Sequence, residues 1–300
     1  MTLAAGEVNA GVMCAGQEKG APGHTIGLLG HMVYLLLALS VLGVGFLVYR
    51  RQVARLQRQA LLKKELEPEL RTLVGKAVPL YKRLPDDMRS NVDGRIALFL
   101  DQVTFHGAGG LEVTEEMKIS IAAQAAVLVA ANGQWYDTLR TVLLYPGAFR
   151  SRRPVHEGYI VTEKESIRSG ESWERGPVIL SWAHSERGAF IDDDGHNVVL
   201  HEFAHQLDGL SGYTDGVPLL KNSAAVREWE EVFSETYERV GRMIEIGKRP
   251  FLDPYGVSAP EELFPVATEA FFETPRDLQR EEPALYKCLT DYYGMDPATW

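Results

Sequence analysis

Cysteine is almost missing from this chain: Cys14 and Cys288 are the whole supply. They lie on opposite sides of a long apolar segment, so they cannot pair within one chain, and a disulfide framework is excluded. Cys14 sits in a Gly- and Ala-rich stretch expected to be disordered, and Cys288 reads as a small buried apolar residue. Internal repeats, a glycine-rich phosphate loop and zinc-finger spacing are absent too, which removes solenoids, nucleotide-binding loops and finger modules. Nor is there an excess of basic charge. With 31 Lys and Arg against 41 Asp and Glu, the formal charge of −10 argues against direct nucleic-acid binding.

One absence is local and points to a membrane. From Gly27 to Tyr49 there is no Asp, Glu, Lys or Arg, and Leu, Val, Ile and Phe dominate. As a helix at about 1.5 Å per residue the run would reach roughly 34 Å, enough for a hydrocarbon core of about 30 Å. Arg50-Arg51 follows where a cleavable signal would place small residues, so the segment reads as a retained span. Arg50, Arg51, Arg55 and Arg58 after it, against Lys19 alone before it, place the carboxyl side in the cytoplasm. The glycines of the segment form no G-x-x-x-G pair.

Chemistry is concentrated at His201-Glu202-Phe203-Ala204-His205. On a helix, residues at i and i+4 share a face, so two imidazoles can converge on one ion, and Glu202 can reach a water on that ion. Val198, Val199, Leu200, Phe203, Ala204 and Leu207 supply a buried side, and Asp192, Asp193, Asp194 and Asn197 offer side chains that start a helix. The alternative is a core helix whose histidines merely bond to backbone, and it leaves costly polar groups to satisfy. Asp192-Asp193-Asp194-Gly195 lacks a calcium-loop pattern and reads as a solvated turn.

Such a site needs a third protein ligand and an open position for water. A further histidine in the extended pattern H-E-x-x-H-x-x-G-x-x-H is ruled out, because Asp208 and Ser211 occupy the glycine and histidine positions. Glu269 is the best candidate, a lone acid among Phe264, Pro265, Val266, Ala267, Ala270, Phe271 and Phe272. A Glu paired with an Arg is the bland alternative, and Asp208, Asp253 and His196 are rival ligands.

Leu200 to Asp208, Asp253-Pro254-Tyr255 and Ala267-Thr268-Glu269-Ala270-Phe271-Phe272 together resemble the Mlc titration factor A family of zinc metallopeptidases, over about residues 75 to 290. The resemblance implies a zincin-like α+β catalytic domain with one zinc ion, His201, His205 and Glu269 as metal ligands and Glu202 as general base. It also implies weak, aminopeptidase-like activity, and for the founding member a transcriptional repressor as protein partner. The apolar amino-terminal segment is a departure, since the founding member is soluble.

The expected reaction is peptide hydrolysis through a zinc-bound water, with Glu202 taking the proton and returning it to the leaving amine. Tyr255 is a candidate oxyanion donor, against the alternative of a Tyr packed in a turn. Gly176 to Trp182 reads as a strand, either an edge able to bind an extended peptide or an interior strand. Helices are expected at 51–74, despite Pro68, and at 86–105, 115–131 and 222–246, with strands at 139–145 and 159–162. The domain plan is a tail (1–26), a transmembrane helix (27–49), a juxtamembrane helix or linker (50–75) and the peptidase domain (76–300). The whole reads as a single-pass bacterial inner-membrane peptidase with its catalytic domain in the cytoplasm. A rival reading is a regulatory module that sequesters a repressor, its zinc structural or vestigial. A metal-free membrane scaffold is a third.

Overall fold

The charge-free run lies within one helix, α1 (Gly23–Leu62), in the computed structural model, which describes residues 23–157, 160–168, 170–172 and 176–300. Residues 1–22, with Cys14 and most of the expected tail, lie outside the described residues, and 23–26 open the helix. Within α1, Tyr34–Leu62 is long and apolar enough to cross a membrane, and its apolar side chains from Tyr34 to Tyr49 are exposed. The chain divides into two compact units, Met1–Leu56 and Gln57–Trp300.

The second unit begins with the last turns of α1, where Leu61 and Leu62 pack on the core and Arg58 lies over the Trp135 ring and pairs with Asp137 at 2.7 Å. The helix expected through Pro68 is interrupted. Residues 64–67 leave the helix, and Pro68 becomes the first residue of α2 (Pro68–Ala77), where its missing N–H has no bond to lose. After a single turn, α3 (Leu80–Arg83), α4 spans Asp86–Gln102. It ends short of the expected Phe105, because Thr104 and Phe105 enter β1 (Thr104–Gly107), a strand the sequence reading missed. α5 (Glu115–Leu128) is capped by Thr114, whose hydroxyl accepts the Met117 N–H, and from Ile119 onward it is wholly buried.

β2 (Thr141–Tyr145) is followed by an antiparallel pair, β3 (Phe149–Glu157) and β4 (Ile160–Arg168). Tyr159, expected to open a strand, lies outside the described residues, and β4 continues past the expected end at Thr162. β5 (Gly170–Ser172) and β6 (Val178–Ser181) complete a sheet of order β1-β2-β6-β5. β1, β2 and β6 are parallel, and β5 runs antiparallel to β6 with Gly170 opposite Leu180. The strand expected at 176–182 is therefore interior, and the edge is β5. Trp182 starts α6 (Trp182–Phe190).

α7 (Val198–Asp208) starts where Asn197 accepts the Val199 and Leu200 N–H groups, each at 3.1 Å. Its Val199, Leu200, Phe203, Ala204 and Leu207 are fully buried, and the Phe203 ring packs 5.6 Å from Phe99 and 5.1 Å from Tyr136. Burial of one such ring contributes about 1.5–3 kcal/mol, so α7 is held firmly by its apolar side. A long helix, α8 (Ser223–Glu245), follows, buried along Trp229, Phe233, Thr236 and Val240. α9 (Leu263–Glu273) is buried on all sides, packed against α7 and against α11 (Pro283–Tyr293), with the short α10 (Pro275–Glu281) between. The result is an α+β fold in which α7 and α9 lie side by side.

Candidate metal centre

The i, i+4 spacing on α7 puts the His201 and His205 rings 5.1 Å apart, and both Nε2 atoms lie 3.2 Å from one oxygen, Glu262 Oε2. These three ligand atoms fall within 4.8 Å of one another. Glu262 closes the 3-10 turn Pro260–Glu262 just before α9, and only 8% of its surface is exposed. Tyr255, in the 3-10 turn Pro254–Val257, donates its hydroxyl to the other oxygen, Glu262 Oε1, at 3.2 Å, with its ring 5.9 Å from that of His201. Asp253 fixes this turn by accepting the Tyr255 N–H at 2.8 Å.

Glu269 sits on the other side of His201. Its Oε1 is 2.8 Å from His201 Nδ1, and its Oε2 accepts the Asn197 N–H at 2.5 Å. The structure brings His201, His205 and Tyr255 together around Glu262, and places Glu269 at Nδ1 of His201, one nitrogen away from the cluster. Glu262 is the third member of that cluster. It was missed because an acid in the first turn before an apolar helix is ordinarily a solvated residue favoured by the helix dipole. The rival ligands stand apart. Asp208 accepts the Gly216 N–H at 2.8 Å, and His196 lies 3.4 Å from Asp253.

The donor set suits a small divalent ion. A carboxylate at Nδ1 holds the proton there and turns the Nε2 lone pair outward, directly at the Glu262 carboxylate. Acceptor then faces acceptor in a buried site, and a cation reconciles them. Metal–nitrogen and metal–oxygen bonds of about 2 Å on one tetrahedral ion separate its ligands by roughly the distances seen here. Without the ion, burial pulls the His201 pKa down. The Glu269 charge, hydrogen bonds to Glu262 and Glu269, and the Glu202 charge outweigh it and hold the imidazole well above its ordinary value. Glu262 shows the complement: burial pushes it up, yet hydrogen bonds to His201 and His205 and their charges hold it well below the usual carboxylate range.

Glu202 follows His201 on α7 and is buried beside β5, with Gly170 against its carboxylate. Glu273 is 3% exposed, and burial first, with the Glu269 charge adding, pushes its pKa up to about 9. That upward shift favours its uncharged form at neutral pH.

A buried His-Glu pair on one helix, a second His a turn later and an acid brought in from a distant turn are the parts of a metallopeptidase centre. Residues 51–294 match the family described as glucose-regulated metallo-peptidase M90. The chain belongs to the M90 metallopeptidase family. It is 31% identical over 241 residues to the Mlc titration factor A of Pectobacterium atrosepticum, covering 77% of this chain and 89% of the relative. The Yersinia pestis protein of the same name is 31% identical over 226 residues, covering 73% and 82%. An uncharacterized protein of Synechocystis is 37% identical over 244 residues, covering 80% of this chain and 89% of its own. M90 membership implies a divalent metal, and among the described residues His201, His205 and Glu262 form a group able to hold one.

Proposed function

We propose that this M90 chain is a membrane-tethered zinc peptidase in which His201, His205 and Glu262 hold the ion and Glu202 is the general base. The convergence of both Nε2 atoms on Glu262 Oε2 carries this reading. Bound zinc would polarise a water and the scissile carbonyl. Glu202, one position along α7 from a ligand, takes the proton from that water and delivers it to the leaving amine. Glu269 keeps the His201 ring turned, and the Asn197 N–H keeps Glu269 in place. Tyr255, whose hydroxyl already reaches Glu262, is positioned to swing to an oxyanion developing on the carbonyl. Burial around the helix keeps these charges in a poorly screened setting, where each interaction counts for more.

Peptide binding falls to β5, since it is the sheet edge on the side of α7. An extended chain added there bonds through its main chain and is read with little side-chain selectivity. Aminopeptidase-like end preference is the finer expectation that comes with the family resemblance. The tether is α1, and the arginines after it favour a bacterial inner-membrane location with the M90 domain in the cytoplasm. The domain plan proposed is a tail over 1–26, a span over 27–49, a linker over 50–75 and the peptidase over 76–300.

A regulatory role is the second reading, favoured by the name shared by the enterobacterial relatives, Mlc titration factor A. Sequestration of a transcriptional repressor at the membrane is compatible with an intact metal centre, but it has no need of Glu202. Hydrolysis of a mixed peptide library by the zinc-loaded protein, beside Glu202→Gln, separates the two. Cleavage lost in the variant with zinc retained supports the peptidase; equal behaviour of both proteins removes it.

A further inference from the structure

Glu202 owes its position to an absent side chain. A Cβ built on Gly170 would lie 2.4 Å from Oε1, 2.6 Å from Cγ and 2.8 Å from Cδ of Glu202, far inside the roughly 3.5–4 Å of ordinary carbon contact. Gly170 is buried, and its φ lies outside the left-handed region, so conformational freedom is not what the position requires. Space is. Two other glycines serve backbone packing instead: a Cβ at Gly94 would strike the Leu62 carbonyl at 2.2 Å, and one at Gly107 the Leu111 carbonyl at 1.8 Å. At Gly170 the three nearest atoms all belong to one acid.

The strand has little freedom to retreat. β5 is registered against β6 through Gly170 opposite Leu180, Glu171 opposite Ile179 and Ser172 opposite Val178, and Val178 and Leu180 are fully buried. A methyl group at residue 170 would therefore meet a side chain that can rotate on one side and a paired strand on the other. The side chain would yield, and the Glu202 carboxylate would leave its place beside β5.

We infer that Gly170 is a positioning residue for the M90 general base, its bare backbone forming the wall that keeps the Glu202 carboxylate beside the metal ligands. This rests on the peptidase reading for its consequence in catalysis, and on the geometry alone for the contact itself. None of the three metal ligands appears among the atoms nearest to the missing Cβ, so the ion site should survive a methyl there.

The test is a double-mutant cycle on the full-length protein in detergent, with Gly170→Ala made alone, in a Glu202→Ala background, and compared with Glu202→Gln. Gly170→Ala is expected to keep one zinc per chain, to cleave peptides no faster than Glu202→Gln, and to melt below the parent. In the Glu202→Ala background, where Cγ, Cδ and both carboxylate oxygens are gone, the same methyl is expected to lower the melting temperature by less than half as much. An equal fall in both backgrounds, no fall in the parent background, or near-parental cleavage by Gly170→Ala overturns the inference. Should the parent cleave no peptide, the peptidase reading fails by itself, while the melting cycle still decides whether residue 170 acts on Glu202.

Discussion

Removing one carboxylate at a time separates the metal ligand from its support. Glu262→Gln keeps the side-chain volume but takes a charge from a group that faces both Nε2 atoms at 3.2 Å. Glu269→Gln leaves that trio intact and alters only the partner of His201 Nδ1, 2.8 Å away, and the acceptor of the Asn197 N–H. Changes to such a supporting partner typically cost 10–100-fold in metal affinity, or about 1.4–2.8 kcal/mol. Loss of a charged ligand from a buried three-residue set should exceed that range, since the two histidines are left to hold the ion with water. Competition with a chelator of known zinc affinity, on the full-length protein, gives both numbers. The expected order is parent, then Glu269→Gln within about 100-fold, then Glu262→Gln beyond it. A greater loss for Glu269→Gln than for Glu262→Gln would refute the assignment and make Glu269 the ligand.

Three further outcomes follow from the same geometry. Glu273 ionises in the unfolded chain near the ordinary carboxylate pKa of 4.5 but only near 9 in the fold, so stability should decline as pH rises from about 5 to 9; Glu273→Gln should flatten that decline by a few kcal/mol in denaturant titrations, and an unchanged slope would count against a neutral buried acid. Gly216 has φ of +84° and would bring a Cβ to 3.0 Å from the Pro260 carbonyl, so Gly216→Ala should push on the turn that carries Glu262 and weaken zinc binding as well as lower the melting temperature; a stability loss with unaltered zinc affinity would show that the strain stops short of the site. Asn197→Ala removes the cap that accepts two N–H groups at the start of α7, and should cost about 1 kcal/mol by denaturant unfolding, with a null result meaning that water replaces the cap.

The legible part of this M90 protein is what depends on local spacing. Two histidines four apart with an acid beside the first can be read directly, because a helix of 3.6 residues per turn converts that spacing into one face. The long apolar run is legible for the same reason, since length and the absence of charge are properties of a segment by itself. Asn197 as a helix start and the apolar side of α7 also needed nothing from elsewhere in the chain. Pro68 was less accommodating: the surrounding pattern favoured a helix, and the missing N–H decided that a new one begins there.

Tertiary structure decided the rest. Glu262 and Glu269 are both acids beside or within an apolar helix, and hydropathy favours the more buried-looking Glu269. The roles proposed for them differ because α9 packs alongside α7 at a depth that leaves Glu269 level with Nδ1 of His201, while the turn before α9 comes level with Nε2. That is a matter of a few ångströms of packing between elements some 60 residues apart, which no local pattern encodes. The sheet edge is similar. In sequence β6 fits an edge or an interior strand alike, and only pairing with β2 on one side and β5 on the other makes it interior. Gly170 carries no signal in sequence at all, because the reason for a glycine there is an acid on another element that must have the space.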